Sequence, residues 1–406
     1  MERVAAIIRT AKNTVLDLWN DDPLLEVCWT AWLTVRLLMG TAIFLDTSNI
    51  FMKLVIVCAL LPLAAREIMR FKSYNHEDWF LLACFTILIP SAFVSKDTIL
   101  IQSMAIAFAA RKNDYQTLLR FTCLVLAVET GAVVLLSSVG VIPTVTHYDT
   151  RGYVRESFGF AYPSRLPNIL LTLVLSMQCN AGRRRVNLPA ALVTLVSIII
   201  FWFGRSRGPF AFTIMAILVW TAGSMLPLGL VEKSRHIIGA LVASTYLICA
   251  AIMILLCATY DPEIPWMKAV NYITSSRLLF SNNAFKSAKP SLFGTSLFSG
   301  DANYGVGYLD SSYMKLFLTS GILAFIIVMA LYMRCSYEAA IKNNIGLTGA
   351  LLVVALHATM EWQLTSIMYT PMMFCLFMDA DALSERTLQA DGTHPKHLAE
   401  TGDISW

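Results

Sequence analysis

Apolar runs of about 18 or more residues follow one another along this chain, each long enough as an α-helix to cross roughly 30 Å of hydrocarbon. Of its 406 residues 57% are hydrophobic and only 14% charged, so little of the sequence suits a soluble surface. A closed β-barrel also spans a bilayer with every backbone group satisfied, but it would read as alternating segments of roughly ten residues. The continuous runs exclude it and predict an all-α polytopic membrane protein. The net charge of +4 is small, and the lack of a basic stripe with interleaved aromatics argues against a nucleic-acid partner. The nine cysteines fall within or at the ends of apolar runs, which argues against a disulfide framework or a zinc site.

Spans are predicted at 24–45, 50–68, 79–95, 97–110, 118–140, 166–181, 186–204, 209–229, 237–259, 311–333, 345–362 and 366–381. These about twelve transmembrane helices form one domain over 23–381. With the N-terminus inside, Arg66, Arg70, Lys72, Arg111, Lys112, Arg120, Arg183, Arg184, Arg185, Lys233, Arg235, Arg334 and Lys342 all fall on one side. The excess of Lys and Arg in short cytoplasmic loops then puts both termini in the cytoplasm. Residues 1–22 carry Val4, Ile7, Ile8, Ala11, Val15, Leu18 and Trp19 at helical spacing with basic residues between them, an interfacial amphipathic helix rather than a cleaved signal peptide. Residues 382–406 read as a cytoplasmic tail without fixed structure. Two extracytoplasmic loops, 141–165 and 260–310, are longer than connections need to be, and long loops tend to carry function. No repeat relates the two halves, which counts against a transporter built from repeated units.

Six arginines remain on the outer side: Arg151, Arg155, Arg165, Arg205, Arg207 and Arg277. The planar arginine fork matches phosphate or carboxylate oxygens in pairs and stays charged in any site, so the cluster implies an anionic ligand. In FGRSRGPF an apolar run ends, two glycines loosen the turn, and Pro209 suits the first position of the next helix. That turn aims the unpaired N–H groups of a helix start at the point the arginines reach, a favourable phosphate site. Arginines that anchor helix ends on lipid headgroups are the competing explanation. In the first long loop, Tyr148, Tyr153, Phe158, Phe160 and Tyr162 offer faces for sugar rings, or a headgroup-level aromatic belt. In the second, Arg277 starts a short amphipathic stretch at the surface, and Asp310 precedes an apolar run. Asp310 is there either as a helix N-cap or as a carboxylate facing the arginines, able to take a proton from a hydroxyl.

Arg36 and Glu129 fall mid-span, where ionisable groups pair or line cavities, and mutual neutralisation is the simpler reading. His357 and Glu361 are four apart and predicted to share a helix face, as a hydrogen-bonded pair or as an acid–base pair. One His and one carboxylate fall short of a catalytic zinc site, and no GxSxG, P-loop or DxD pair occurs, so neither metal nor cofactor is expected.

The order of these motifs carries a resemblance: GFAYP in an arginine-rich outer loop, SRG opening a helix, then SSR, LFG and YLDSSYMKLFLTSGILAF. Over residues 151–334 the chain resembles the Wzy-like O-antigen and exopolysaccharide polymerases of the superfamily that includes the O-antigen ligases. The resemblance implies a GT-C-type glycosyltransferase of the bacterial plasma membrane. Such an enzyme acts at the outer face on oligosaccharide repeats linked by pyrophosphate to a polyprenol, without metal or nucleotide, among membrane lipids and alongside a flippase and a chain-length regulator. Arg207 and Arg277 would then hold the donor pyrophosphate, with Arg205 in support and Arg151, Arg155 and Arg165 nearby. Where the ligases carry a His, this chain has YLDSS, which argues against a ligase. Asp310 becomes the first candidate for the general base, ahead of His357 and Glu361. A lipid-linked oligosaccharide flippase would need arginines too, but in a central cavity between repeated halves, and only Arg36 is at mid-depth. The motifs of the shape and division class of peptidoglycan glycosyltransferases are not found.

Overall fold

The computed structural model describes residues 22–44, 50–148, 152–181, 187–297 and 309–384. Residues 1–21 of the amphipathic helix expected over 1–22, Arg151, the Arg183–Arg185 cluster and residues 385–406 of the tail expected over 382–406 lie outside the described residues. The helices are α1 (Pro23–Leu38), α2 (Ile50–Arg70), α3 (His76–Ser95), α4 (Ile99–Ala109), α5 (Tyr115–Ser138), α6 (Arg165–Ala181), α7 (Leu188–Gly204), α8 (Arg207–Met225), α9 (Leu228–Ala258), α10 (Pro265–Ile273), α11 (Arg277–Ser287), α12 (Ile322–Ile341) and α13 (Ile345–His357). Among the described residues, α3, α5, α8, α9 and α12 are long and apolar enough to cross a membrane. The fold is that of an all-α membrane protein, with α9 against α12, α5 against α6, and α13 wedged beside α6, α8 and α9.

Local signals start these helices at one end of the bundle. Asp22, Asn75, Asp114, Asn187 and Asn344 each accept a backbone N–H in the first turn of α1, α3, α5, α7 and α13, satisfying donors that a helix start leaves unpaired. The same end is tied by ions: Arg66 to Asp22 and Glu67, and Arg111 to Glu67 and Asp78. Asn344 also donates to the Tyr115 hydroxyl and to the Leu383 carbonyl.

Three expectations need correction. The last predicted span, 366–381, is not an α-helix. After α13 the chain continues as short 3-10 turns, Trp362–Thr365, Pro371–Phe377 and Ala380–Leu383, most of whose residues are buried. Composition alone reads such an apolar run as a helix, yet Pro371 cannot continue one from the preceding residues. The span predicted at 311–333 is broken: Lys315–Ser320 winds as a π-helix and Gly321, at φ 94°, separates it from α12. The break fits a backbone crossing, since Gly294 of the LFG motif lies against it, and a Cβ on either glycine would overlap main-chain atoms of the other segment. Thr295 N–H donates to the Thr319 carbonyl at 3.1 Å and Ile322 N–H to the Ser291 carbonyl at 2.9 Å. Finally, Arg36 and Glu129 do not neutralise each other: Arg36 donates to Gln102 at 2.6 Å and lies over the Trp32 ring, while Glu129 accepts from Thr34.

The loop 141–165 folds into an antiparallel hairpin, Thr146–Tyr148 with Val154–Glu156, with Arg155 opposite His147. Its return segment is stitched to the end of α1 through Ala42 N–H to the Gly159 carbonyl, 2.8 Å, and Ala161 N–H to the Gly40 carbonyl, 2.9 Å. The hairpin and the segment α10–α11 thereby close the end of the bundle opposite the capped one.

Candidate functional site

The GRSRG turn is built around a left-handed residue. Arg205 caps α7 at φ 50°, and its guanidinium lies 5.1 Å from the Trp202 ring centroid and 5.6 Å from that of Tyr153. Arg155, from the hairpin, donates through Nε to the Gly204 carbonyl at 3.1 Å and through Nη2 to the Ser206 hydroxyl at 2.9 Å. Ser206 is the residue before α8, yet its hydroxyl makes no capping bond and donates instead to the Pro163 carbonyl at 3.1 Å. The first N–H groups of α8 therefore meet no N-cap side chain, as an anion site requires. Helix α8 begins at Arg207, so Pro209 is third rather than first. Proline is accommodated there because the first four N–H groups of a helix have no partner within it.

A cavity of about 370 Å³ opens on this turn, lined by Arg155, Arg205, Ser206, Arg207 and Gly208 and, from the other side, by Ser275, Arg277 and Glu361. A second, of about 410 Å³, is lined by Arg155, Tyr162, Ser164, Arg165, Asn168, Ser275, Arg277, Phe280, Asp310, Glu361, Trp362, Gln363 and Tyr369. Arg155, Ser164, Ser275, Arg277 and Glu361 belong to both, so the two cavities share a wall.

Arg277 is the centre of that wall. Its Nε donates to Asp310 Oδ2 at 2.8 Å and its Nη2 to Glu361 Oε1 at 2.8 Å. Two carboxylates thus occupy one edge of the fork and leave the end-on edge for a ligand. The backbone reaches this position through Ser275 and Ser276, at φ 57° and 67°. Such left-handed conformations in non-glycine residues cost of order 1 kcal/mol or more each and persist where the surroundings fix them. The Asn271 side chain accepts the Leu279 N–H at 3.0 Å and secures the start of α11. Burial works against the Arg277 charge, but Glu361 and Asp310 outweigh it and hold its pKa above the ordinary arginine value.

Glu361 stands beyond the end of α13, in the turn that Ser312 pins by donating to the Glu361 carbonyl and accepting the Leu364 N–H at 3.1 Å. Burial pushes its carboxyl up to about 7, against the pull of Arg277. The expectation that His357 and Glu361 share a helix face fails, because α13 ends at His357 and Glu361 is extended. His357 is buried edge-on to Phe212, ring centroids 4.9 Å apart, and lines neither cavity. Asp310 is not an N-cap either: Ser311 holds that position, and Asp310 spends its carboxylate on Arg277.

Of the other predicted residues, Arg165 lines only the second cavity, while Arg205 and Arg207 line only the first. Among the loop aromatics only Tyr162 lines a cavity. Phe160 is buried, and Phe158 packs edge-on to Phe203. Sequence reasoning missed Asn168, Trp362 and the ion pair of Lys315 with Asp97, 2.7 Å apart, whose ammonium lies 4.6 Å from the Trp362 ring centroid. An aromatic directly after Glu361 at the end of an apolar run was the one available signal for Trp362. Among the described residues no three His, Cys, Asp or Glu side chains converge to hold a metal ion. Compared with family models and with curated proteins, the chain matches none.

Proposed function

We propose that this chain is a polysaccharide polymerase: an inverting glycosyltransferase of GT-C type that joins polyprenyl-pyrophosphate-linked oligosaccharide repeats at the outer face of the bacterial plasma membrane. One observation carries the reading. A cavity with four arginines against one carboxylate shares its wall, at Arg277 and Glu361, with a second cavity rich in aromatic and amide side chains.

In this mechanism the growing chain is the donor. Its pyrophosphate lies on Arg207, Arg205, the first N–H groups of α8 and the end-on edge of Arg277, and its anomeric carbon meets the shared wall. Pyrophosphate is a good leaving group once its charge is neutralised, and fixed donors do this without reorganising during the reaction. A hydroxyl of the incoming repeat attacks from the opposite face. The new C–O bond forms as the bond to pyrophosphate breaks, the electron pair leaves on the polyprenyl pyrophosphate, and the hydroxyl proton passes to Glu361 and then to water.

Glu361 takes the role of base ahead of Asp310 because it borders both cavities, whereas Asp310 borders only the second. A carboxyl near neutrality is also better matched to proton transfer than an ordinary one. Asp310 orients Arg277. His357, facing neither cavity, supports the packing.

The test uses the full chain, purified into liposomes that contain the lipid-linked repeat. Lengthening of the lipid-linked chain is expected. Translocation without new glycosidic bonds would make it a flippase, and transfer to a different lipid acceptor would make it a ligase.

A further inference from the structure

The second cavity has a different chemistry from the first. Three arginines face two carboxylates there, and the remaining lining includes Tyr162, Phe280, Trp362 and Tyr369 with the amides of Asn168 and Gln363. Near-balanced charge, flat apolar faces and paired donor–acceptor groups suit a hydroxyl-rich neutral ring rather than a phosphate. The volume of about 410 Å³ lies within the roughly 300–1,000 Å³ of small-molecule sites.

Two further details point to a ligand. Asn168 is 1% exposed and hydrogen-bonds Glu361, yet its Oδ1 has no partner among the described residues. A buried acceptor is rarely left unpaired, so a donor from outside the protein fits here. Trp362 is also held from several directions. Lys315 lies over its ring without lining the cavity, Asp97 fixes Lys315 at 2.7 Å, and Tyr369 meets the ring edge-on at 5.9 Å. The π-helical turn supplies Lys315, and such turns recur at functional sites.

We infer that this cavity is a separate carbohydrate subsite, in which Trp362 is the stacking platform for the terminal sugar of the acceptor repeat and the Asn168 amide receives one of its hydroxyls. Lys315 and Asp97 are positioning residues that set the ring plane of Trp362. The inference rests on the proposed glycosyl transfer, since it takes the first cavity as the pyrophosphate site. It adds that donor and acceptor affinities are separable by mutation.

The experiment measures binding to the full chain in lipid nanodiscs with two probes: polyprenyl pyrophosphate carrying no sugar, and the repeat oligosaccharide hydrolysed from its lipid. Trp362→Ala is expected to weaken the oligosaccharide by about tenfold, the size of a lost stacking contact, and to leave the pyrophosphate probe unchanged. Arg207→Ala should do the reverse. If Trp362→Ala disturbs folding and loses both probes, Tyr162→Ala decides, because Tyr162 lines the same cavity and, at 40% exposed, lies outside the buried core. Selective loss of the oligosaccharide supports the subsite. Unchanged oligosaccharide binding in the deciding variant, or none in the unaltered protein, overturns it. Failure of the unaltered protein to bind polyprenyl pyrophosphate would overturn the proposed function instead, and is read on the other probe.

Discussion

The two ends of the bundle use the same charged residues in opposite proportions. At the capped end Arg66 and Arg111 are buried against three carboxylates, Asp22, Glu67 and Asp78, and Arg111 also lies 3.9 Å from the Phe108 ring centroid. Those charges are satisfied by one another and fasten α1, α2, α3 and α4 together. At the other end Arg155, Arg205, Arg207 and Arg277 line the first cavity with Glu361, Asp310 pairs with Arg277 from the second, and the start of α8 lacks the side-chain cap that α1, α3, α5, α7 and α13 possess. Neutralised charge makes structure; on the proposed function, charge left in surplus beside an uncapped helix start receives the anion.

The comparison is sharpened first at Glu361. Glu361→Gln should lower turnover by about 10²–10⁴, the usual worth of a general base, without lowering protein level. With a carboxyl raised to about 7, the unaltered protein should lose the proposed activity as pH falls through that value, because the protonated acid cannot accept a proton. A rate profile flat from pH 5 to 8 would remove Glu361 from the role. Next is the capped end: Arg111→Ala strips one partner from buried ion pairs and should cost about 3–5 kcal/mol of stability. It should be visible as reduced abundance and a lower melting temperature, with turnover per surviving molecule unchanged. A specific loss of turnover there would erase the distinction between the ends.

Smaller effects belong to supporting arginines. Arg155→Ala removes two bonds to the GRSRG turn and should weaken polyprenyl pyrophosphate binding by about tenfold. Arg205→Ala loses two cation–π contacts that together are worth about 1 kcal/mol at the low end, so a weakening of about fivefold is expected in the same titration.

Much of this contrast was legible in the sequence, for physical reasons that also mark its limits. Hydrophobic runs locate most of the helices because lipid demands continuous apolar length. Arginines against the orientation rule single out Arg151, Arg155, Arg165, Arg205, Arg207 and Arg277 because charge in such places needs a partner, and four of them line the first cavity. Partners distant in sequence were another matter. Nothing in SSR, YLDSS and HATMEW taken separately shows that Arg277 bridges Asp310 and Glu361, which lie 33 and 84 residues away. The 3-10 path after α13 and the crossing of Gly294 over Gly321 are set by tertiary packing, which overrides apolar periodicity. Trp362 acquires its meaning only from Lys315 and Tyr369, which periodicity does not bring together.

The claim that surplus arginine at the cavity end holds a pyrophosphate donor is tested most directly at Arg207, by the length of lipid-linked chain made in liposomes at matched protein level. Arg207→Ala should reduce extension by about 10²–10³, comparable to removing one fixed donor from a charge-stabilising site, while Arg207→Lys keeps part of it. Extension by Arg207→Ala at the rate of the unaltered protein would contradict the account.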